Sequence, residues 1–225
     1  MTQALHIGLM VPINNTTFAQ EVLGWMPPGS RATTLRIPRG KGMLTTDTLP
    51  AYKAAALELA AQFKGSDVDV VAYGCTAAGF IFGPQGDAEL AQELHQVTAK
   101  PVVTTARSMV LSLQAAGVND IALVTPYLDA VNTQLKAFLA DGGIRVRRFN
   151  SFFATDVDAL GRITAEQVKE MVLQTNDDGC QAVFIACAQL PTATILEELR
   201  EILGKPVLSS NWGTTHQAQL AMALT

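Results

Sequence analysis

Short apolar runs alternate with longer amphipathic segments along the whole chain. The runs around Val70 and Ile185 are apolar throughout, as expected of central strands in a parallel sheet that is covered on both faces. Residues 46–63 instead carry apolar side chains at close to helical spacing. Strands that alternate with helices in this way predict parallel sheets with helices on both faces, an α/β fold.

This pattern predicts eight strands and eight helices. The predicted strands are residues 5–11, 32–37, 68–73, 101–104, 120–124, 144–149, 182–186 and 206–209. The predicted helices are residues 17–24, 46–64, 86–98, 107–116, 128–140, 164–176, 192–203 and 212–223.

The second half of the sequence repeats the first. A strand followed by proline at Ile7–Pro12 corresponds to another at Ile121–Pro126, and the later apolar runs end at Cys75 and Cys187. The separation from the first isoleucine to the cysteine is 68 residues in one half and 66 in the other, by subtraction of the residue numbers. The repeat therefore predicts two similar lobes, each with one thiol facing a shared cleft.

The lobe boundaries follow from a further similarity. The segment from about Ser209 resembles the one after Lys100, and we expect it to cross back to the first lobe. The predicted lobes are residues 1–104 plus 209–225, and residues 105–208.

The composition of the chain excludes several classes of partner and compartment. Apolar residues make up 48% of the 225 residues and charged residues 16%, below the usual ~25%, so the chain can bury a sizeable core. A net charge of −4 without a basic run argues against nucleic acid or an anionic membrane as a partner. We see no signal-peptide pattern at the N-terminus and no apolar run near ~18 residues, so we expect a cytoplasmic protein. Its three cysteines should then be free thiols.

Cys75 and Cys187 are the candidate catalytic residues, because doubly wound sheets bind ligands at the carboxyl ends of their strands. We expect each to enter a helix, whose N-terminus would stabilise a thiolate and lower the pKa of the thiol. A buried cysteine can also simply fill space. Cys180 has no counterpart in the first half, and we interpret it in that way.

A thiolate and a thiol on opposite faces of a planar carbon can do two kinds of chemistry. They can move a proton from one face to the other and invert a stereocentre. Alternatively, the thiolate can add to an activated double bond, which then rotates as a single bond before elimination. Neither route needs a metal or an organic cofactor, and we predict none. The sequence has no G-x-G-x-x-G or P-loop motif, and its three histidines have no metal-like spacing.

Other polar side chains predict a small carboxylate substrate. Asn15 and Thr16 follow the first strand, where they would hold an anion or cap a helix. Tyr127 occupies the corresponding place in the second half. Its phenol would donate a hydrogen bond to the substrate carboxylate, or the residue packs in the core. Thr76, beside the first thiol, would contact substrate or cap a helix, and Asn211 is a weaker candidate.

Two further segments have less specific patterns. Gly40–Met43 is a glycine-rich turn with one lysine, which we interpret as a loop or a substrate lid. Asp156 and Asp158 are a possible carboxylate pair, although entry into a helix explains them more simply.

Four motifs together resemble the aspartate/glutamate racemase superfamily, and within it the branch of maleate cis–trans isomerases and arylmalonate decarboxylases. They are Val11-Pro-x-x-Asn15-Thr-Thr17, Tyr73-Gly-Cys75, Pro126-Tyr127 and Cys187-Ala-Gln-Leu-Pro191. Asn-Thr-Thr combined with Cys-x-Gln-x-Pro is similar to maleate isomerases. The decarboxylases of this branch have only the second cysteine, so the first argues against decarboxylation.

The resemblance implies two pseudo-symmetric, doubly wound lobes with four-stranded parallel sheets and an active site between them. It implies that Cys75 is the nucleophile, that Cys187 is the acid and base, and that Asn15 and Tyr127 bind carboxylates. One position departs from the isomerase pattern: Asp156 or a neighbour stands where an asparagine contacts a carboxylate. An aspartate there would repel a dianion unless it were protonated or turned away.

Several functions stay open at this point. A cofactor-independent isomerase of maleate or a related cis-enedioate is the leading hypothesis, and a racemase of an amino acid, hydantoin or related acid is the alternative. A small-acid binding protein and a decarboxylase are less favoured. We expect a homodimer or homotetramer.

Overall fold

The chain forms two four-stranded parallel sheets in the computed structural model, which describes residues 3–223. The strand order is β2-β1-β3-β4 in the first sheet and β6-β5-β7-β8 in the second. The strands are His6–Pro12 (β1), Arg31–Ile37 (β2), Val70–Tyr73 (β3), Val102–Thr104 (β4), Asp120–Thr125 (β5), Arg145–Ser151 (β6), Ala182–Ile185 (β7) and Val207–Ser209 (β8). The predicted α/β fold and all eight predicted strands are confirmed.

The helices follow the predicted order, with two additions. They are Phe18–Trp25 (α1), Leu49–Ala60 (α2), Thr76–Phe80 (α3), Gly83–Thr98 (α4), Thr105–Ala115 (α5), Asp129–Asp141 (α6), Val157–Gly161 (α7), Ala165–Thr175 (α8), Leu196–Leu203 (α9) and Ser210–Ala223 (α10). The additions, α3 and α7, have five residues each, too few for helical periodicity to be visible in the sequence. Helix α9 begins four residues later than the predicted residue 192.

The two sheets have equivalent register, as the sequence repeat predicts. Ile7 pairs with Val70 in the first sheet, and Ile121 pairs with Ala182 in the second. All residues of β3 and β7 are buried, so these two strands form the centre of the core. Since the strands are parallel, the segments that follow β1, β3, β5 and β7 all emerge at carboxyl ends of their sheets.

The last helix connects the two halves. α10 follows β8 of the second sheet but packs against α1 and α5, and it also contacts β3 and β4 of the first sheet. The lobe boundaries at residues 104 and 209 stay a prediction. None of the helices in residues 3–223 has the length and apolar character that crossing a bilayer requires.

Candidate active site

A cavity of about 160 Å³ opens where the carboxyl ends of the two sheets meet. Much of its wall is built by the segments that follow β1, β3, β5 and β7. Cys75 and Cys187 both line it, and they are only 5% and 8% exposed. The predicted placement of two thiols on one cleft, one from each sheet, is thus present in the structure.

Cys75 lies between the end of β3 and the start of α3. The glycine before it is a steric requirement, since a Cβ at Gly74 would come within 2.6 Å of the Phe18 ring. Burial raises the pKa of the Cys75 thiol, while Arg39, the Ala78 N–H and the Tyr52 hydroxyl oppose the rise. The predicted lowering of this pKa by a helix N-terminus is therefore wrong in net direction. A helix of five residues contributes less than the loss of solvent costs.

Cys187 does not enter a helix, so that prediction is wrong for the second thiol. Its carbonyl accepts a hydrogen bond from Leu190 N at 3.1 Å in a turn, and α9 begins only at Leu196. Its backbone φ is +146°, a region that residues other than glycine rarely occupy and that costs strain. Burial raises the pKa of this thiol too, and the charge of Cys75 raises it further.

Glu21 ties the chain after Cys187 to the first half of the molecule. This buried residue of α1 accepts hydrogen bonds from Thr192 N at 2.5 Å and Ala193 N at 2.7 Å. Its other oxygen accepts from the Thr192 hydroxyl at 2.8 Å and from Asn211 Nδ2 at 2.7 Å. The first half of the chain thereby fixes the position of the loop that follows Cys187.

Tyr127 is close enough to both thiols for each to influence its hydroxyl. It lines the cavity, and its ring meets that of Phe80 edge-on at 5.6 Å between centroids. Its pKa is raised well above the usual value, first by burial and then by Cys187 and Cys75, while Thr76 opposes the rise. The phenol is therefore protonated at neutral pH and can donate a hydrogen bond in the cavity.

Asn15 caps a helix, which is one of its two predicted interpretations, and its predicted contact with an anion stays a prediction. Its Oδ1 accepts from Thr17 N at 3.1 Å and from Phe18 N at 2.9 Å, which caps the start of α1. Its Nδ2 donates to Ala188 O at 3.0 Å, and the residue lines the cavity. Asn15 thus fixes the position of the loop that carries the second thiol.

The other predicted residues have different surroundings. Thr76 lines the cavity and accepts a hydrogen bond from Ala188 N at 3.1 Å. Thr16 is outside the lining and exchanges two hydrogen bonds with Gln189, each of 3.0 Å. Asn211 is also outside the lining. Cys180 is away from the cavity as well, which agrees with its interpretation as a structural residue.

Asp156 does not face the cavity. It accepts a hydrogen bond from Ala159 N at 2.7 Å as the cap of α7, and that bond holds the pKa of its carboxyl below the usual range. The interpretation of helix entry is confirmed, so the expected repulsion of an anionic substrate disappears. Val157 and Leu160 are the residues of this segment that line the cavity.

The loop between β2 and α2 covers the cavity. Met43 and Leu44 from this loop line it, and Lys41 O accepts a hydrogen bond from Val157 N at 3.1 Å on the opposite side. The prediction of a loop or lid at Gly40–Met43 agrees with this placement.

Two residues near the thiols were missed in the sequence. Arg39 lies in the cavity lining, and Tyr52 of α2 interacts with Cys75. Arg39 follows the end of β2 by two residues, the same position at a sheet edge that drew attention to the cysteines. Tyr52 gave no such signal, because its spacing in the sequence is that of an ordinary core residue.

Comparison with known proteins agrees with this architecture. The family model described as arylmalonate decarboxylase matches residues 40–223. The maleate isomerase of Alcaligenes faecalis is 27% identical, over 94% of this chain and 88% of that protein. The crystal structure of a maleate isomerase from Pseudomonas putida S16 has a TM-score of 0.90 at 23% identity and covers 98% of this chain and 94% of that one.

A third similar structure contains a reaction intermediate. It is a cysteine-to-serine variant of the Nocardia farcinica maleate cis–trans isomerase with a covalently bound succinylcysteine intermediate. Its TM-score is 0.88 at 22% identity, with 98% of this chain and 94% of that chain covered. With the family match spanning most of the sequence, the resemblance seen in the motifs is confirmed, and the chain belongs to the arylmalonate decarboxylase family.

Proposed function

We propose that this protein is a cofactor-independent isomerase that converts maleate or a related cis-enedioate into the trans isomer. The observation that carries the proposal is the pair of buried thiols, Cys75 and Cys187, on one cavity at the ends of two equivalent strands. The similarity to maleate isomerases and the succinylcysteine of a structural relative support it.

The reaction balances with these two groups alone. The Cys75 thiolate adds to one vinyl carbon, so a C–S bond forms and the π electron pair moves to the neighbouring carbon. The Cys187 thiol donates its proton there. The former double bond is now single and rotates. The Cys187 thiolate then removes the same proton, the double bond forms again, and the C–S bond breaks to release the trans product and the Cys75 thiolate.

The electrostatics of the cavity support this division of roles. Arg39 lowers the pKa of Cys75, and its charge is not among the influences on Cys187. A thiolate at Cys75 in turn raises the pKa of Cys187. These influences favour Cys75 as the thiol that loses its proton and Cys187 as the acid.

Racemisation of a small acid is the second candidate. The same two thiols can remove a proton on one face and return one on the other. The observation that favours it is the apolar part of the wall, Met43, Val157 and Leu160, which would suit a substrate with an apolar group on the reacting carbon.

NMR in deuterated water separates the two. The purified protein is incubated with maleate, citraconate, aspartate, glutamate or hydantoins. We expect the trans isomer to form from maleate or citraconate, while the α-hydrogens of the other compounds stay unexchanged. If maleate and citraconate remain unconverted and one of the chiral acids gains deuterium, the isomerase proposal is wrong and the racemase proposal replaces it.

A further inference from the structure

The cavity contains one formally charged side chain. Among the described residues that line it, Arg39 alone is an ion. Its Nη2 donates to Gly42 O at 2.5 Å within the same loop, and no carboxylate in residues 3–223 forms an ion pair with it. A partly buried cation in apolar surroundings is costly unless an anion accompanies it.

Three other arginines of the described residues have polar partners. Arg145 binds Asp120 at 2.5 Å, and Arg148 binds Asp177 at 2.8 Å. Arg36 donates to the carbonyls of Ile13 and Asn15. Arg39 differs from these in lining a cavity that has no carboxylate among its described residues, with Gly42 O as its one hydrogen-bond acceptor there.

We propose that Arg39 binds a carboxylate of the substrate beside Cys75 in this cavity. This inference rests on the proposed function and deepens it, since it assigns the cation that recognises the anionic substrate. A guanidinium forms two parallel hydrogen bonds to a carboxylate, and such a clamp beside Cys75 would bring the adjacent vinyl carbon to the sulfur.

The groups around the first thiol support this role. Tyr52 from α2 and Tyr73 from β3 face Cys75 from its own half, and Tyr127 and Cys187 face it from the other. Of the charged groups, Arg39 is the one that lowers the pKa of Cys75. It also neutralises part of the repulsion between a thiolate and an approaching carboxylate.

The test measures the reactivity of Cys75, which does not depend on the identity of the substrate. The rate of alkylation by iodoacetamide is followed from about pH 7 to about pH 11.5, because burial already raises the pKa of Cys75 above that of an ordinary thiol. Peptide mass spectrometry separates Cys75 from the other thiols. We expect Arg39→Gln to move the midpoint for Cys75 upward by about one unit or more. Arg39→Lys keeps the positive charge, so its midpoint for Cys75 should stay close to that of the wild type.

Lys41→Gln is the matched control. It removes one positive charge from the same loop, but Lys41 is outside the cavity lining and its side chain is 87% exposed. This variant should keep the wild-type midpoint. A urea unfolding curve for each variant checks folding. If Arg39→Gln does not fold, Arg39→Lys is the test: a small upward shift of its Cys75 midpoint and a raised KM support the inference, and wild-type values of both overturn it.

Protection from alkylation tests carboxylate binding directly. Succinate, a saturated dicarboxylate that cannot isomerise, should protect Cys75 better than its monoamide in the wild type, and Arg39→Gln should lose this preference. Wild-type midpoint and wild-type protection in Arg39→Gln would overturn the inference.

Turnover distinguishes this failure from failure of the proposed function. If the wild type leaves maleate unconverted but the shift and the protection depend on Arg39, the isomerase proposal fails and the inference stands. If the wild type converts maleate and Arg39→Gln keeps its KM and midpoint, only the inference fails.

Discussion

Cys75 and Cys187 have different backbone conformations although they end corresponding strands. The first is in an ordinary extended conformation before a short helix, and the second has a φ of +146° before a loop. The sequence repeat gives the two thiols their places at the sheet edges. Their environments differ because the contacts after each strand come from different parts of the chain.

The first prediction concerns the three cysteines. Cys75→Ser and Cys187→Ser should each reduce turnover of maleate by on the order of 10³-fold or more. The first removes the proposed nucleophile, and the second removes the proposed acid and base. Cys180→Ser should leave turnover nearly unchanged, since Cys180 is outside the cavity lining. Initial rates by NMR measure the effect, and a damaging Cys180→Ser with an active Cys187→Ser would show that the pairing is wrong.

At the scale of elements, the loop after β7 depends on α1 for its shape. Thr17 Oγ1 donates to Gln189 O at 2.9 Å. Asn15, just before α1, donates to Ala188 O of the same loop, and Glu21, within α1, accepts from Thr192 N. The strands were predictable because their apolar runs are local. The contacts of Glu21 with this loop were not, because Glu21 and Thr192 are 171 residues apart in the sequence.

Removal of the Glu21 carboxylate should loosen this loop. In Glu21→Ala the N–H groups of Thr192 and Ala193 and the amide of Asn211 lose their acceptor, which should lower the free energy of unfolding by about 2–5 kcal/mol. Turnover should fall as well, because the loop positions Cys187. Urea unfolding and initial rates measure the two effects.

Glu58→Ala is the control, an exposed glutamate on α2. It should change neither stability nor turnover appreciably. If Glu21→Ala unfolds at the same urea concentration as this control, the carboxylate does not stabilise the loop.

At the scale of the molecule, one buried acid makes stability depend on pH. Asp87 of α4 accepts a hydrogen bond from Thr104 Oγ1 at 2.8 Å, and its other oxygen has no partner among the described residues. Burial raises the pKa of this carboxyl from 3.8 to about 7, against the opposing influence of Thr104 and Arg107. Ionisation of Asp87 in the folded state is therefore unfavourable.

The sign of the effect follows from the raised pKa. The unfolded chain loses this proton near pH 3.8 and the folded chain near pH 7, so the contribution to stability is complete below the lower value and is lost as pH rises to the upper one. Relative to Asp87→Asn, the wild type should lose a few kcal/mol of unfolding free energy across this range. Urea unfolding at several pH values measures it, and a difference that does not change with pH would contradict the prediction.

Local patterns in the sequence determined the order and type of the main elements, and the repeat determined that two thiols lie at equivalent sheet edges. These features depend on apolar periodicity and on spacing, which can be recognised from residues that are close together in the sequence. The tertiary structure alone decided that Arg39 and Tyr52 meet Cys75, that Asp156 turns away to cap α7, and that burial raises the pKa of both thiols. Each of these depends on packing between segments far apart in the chain, where the loss of solvent and the approach of a charge outweigh local preference.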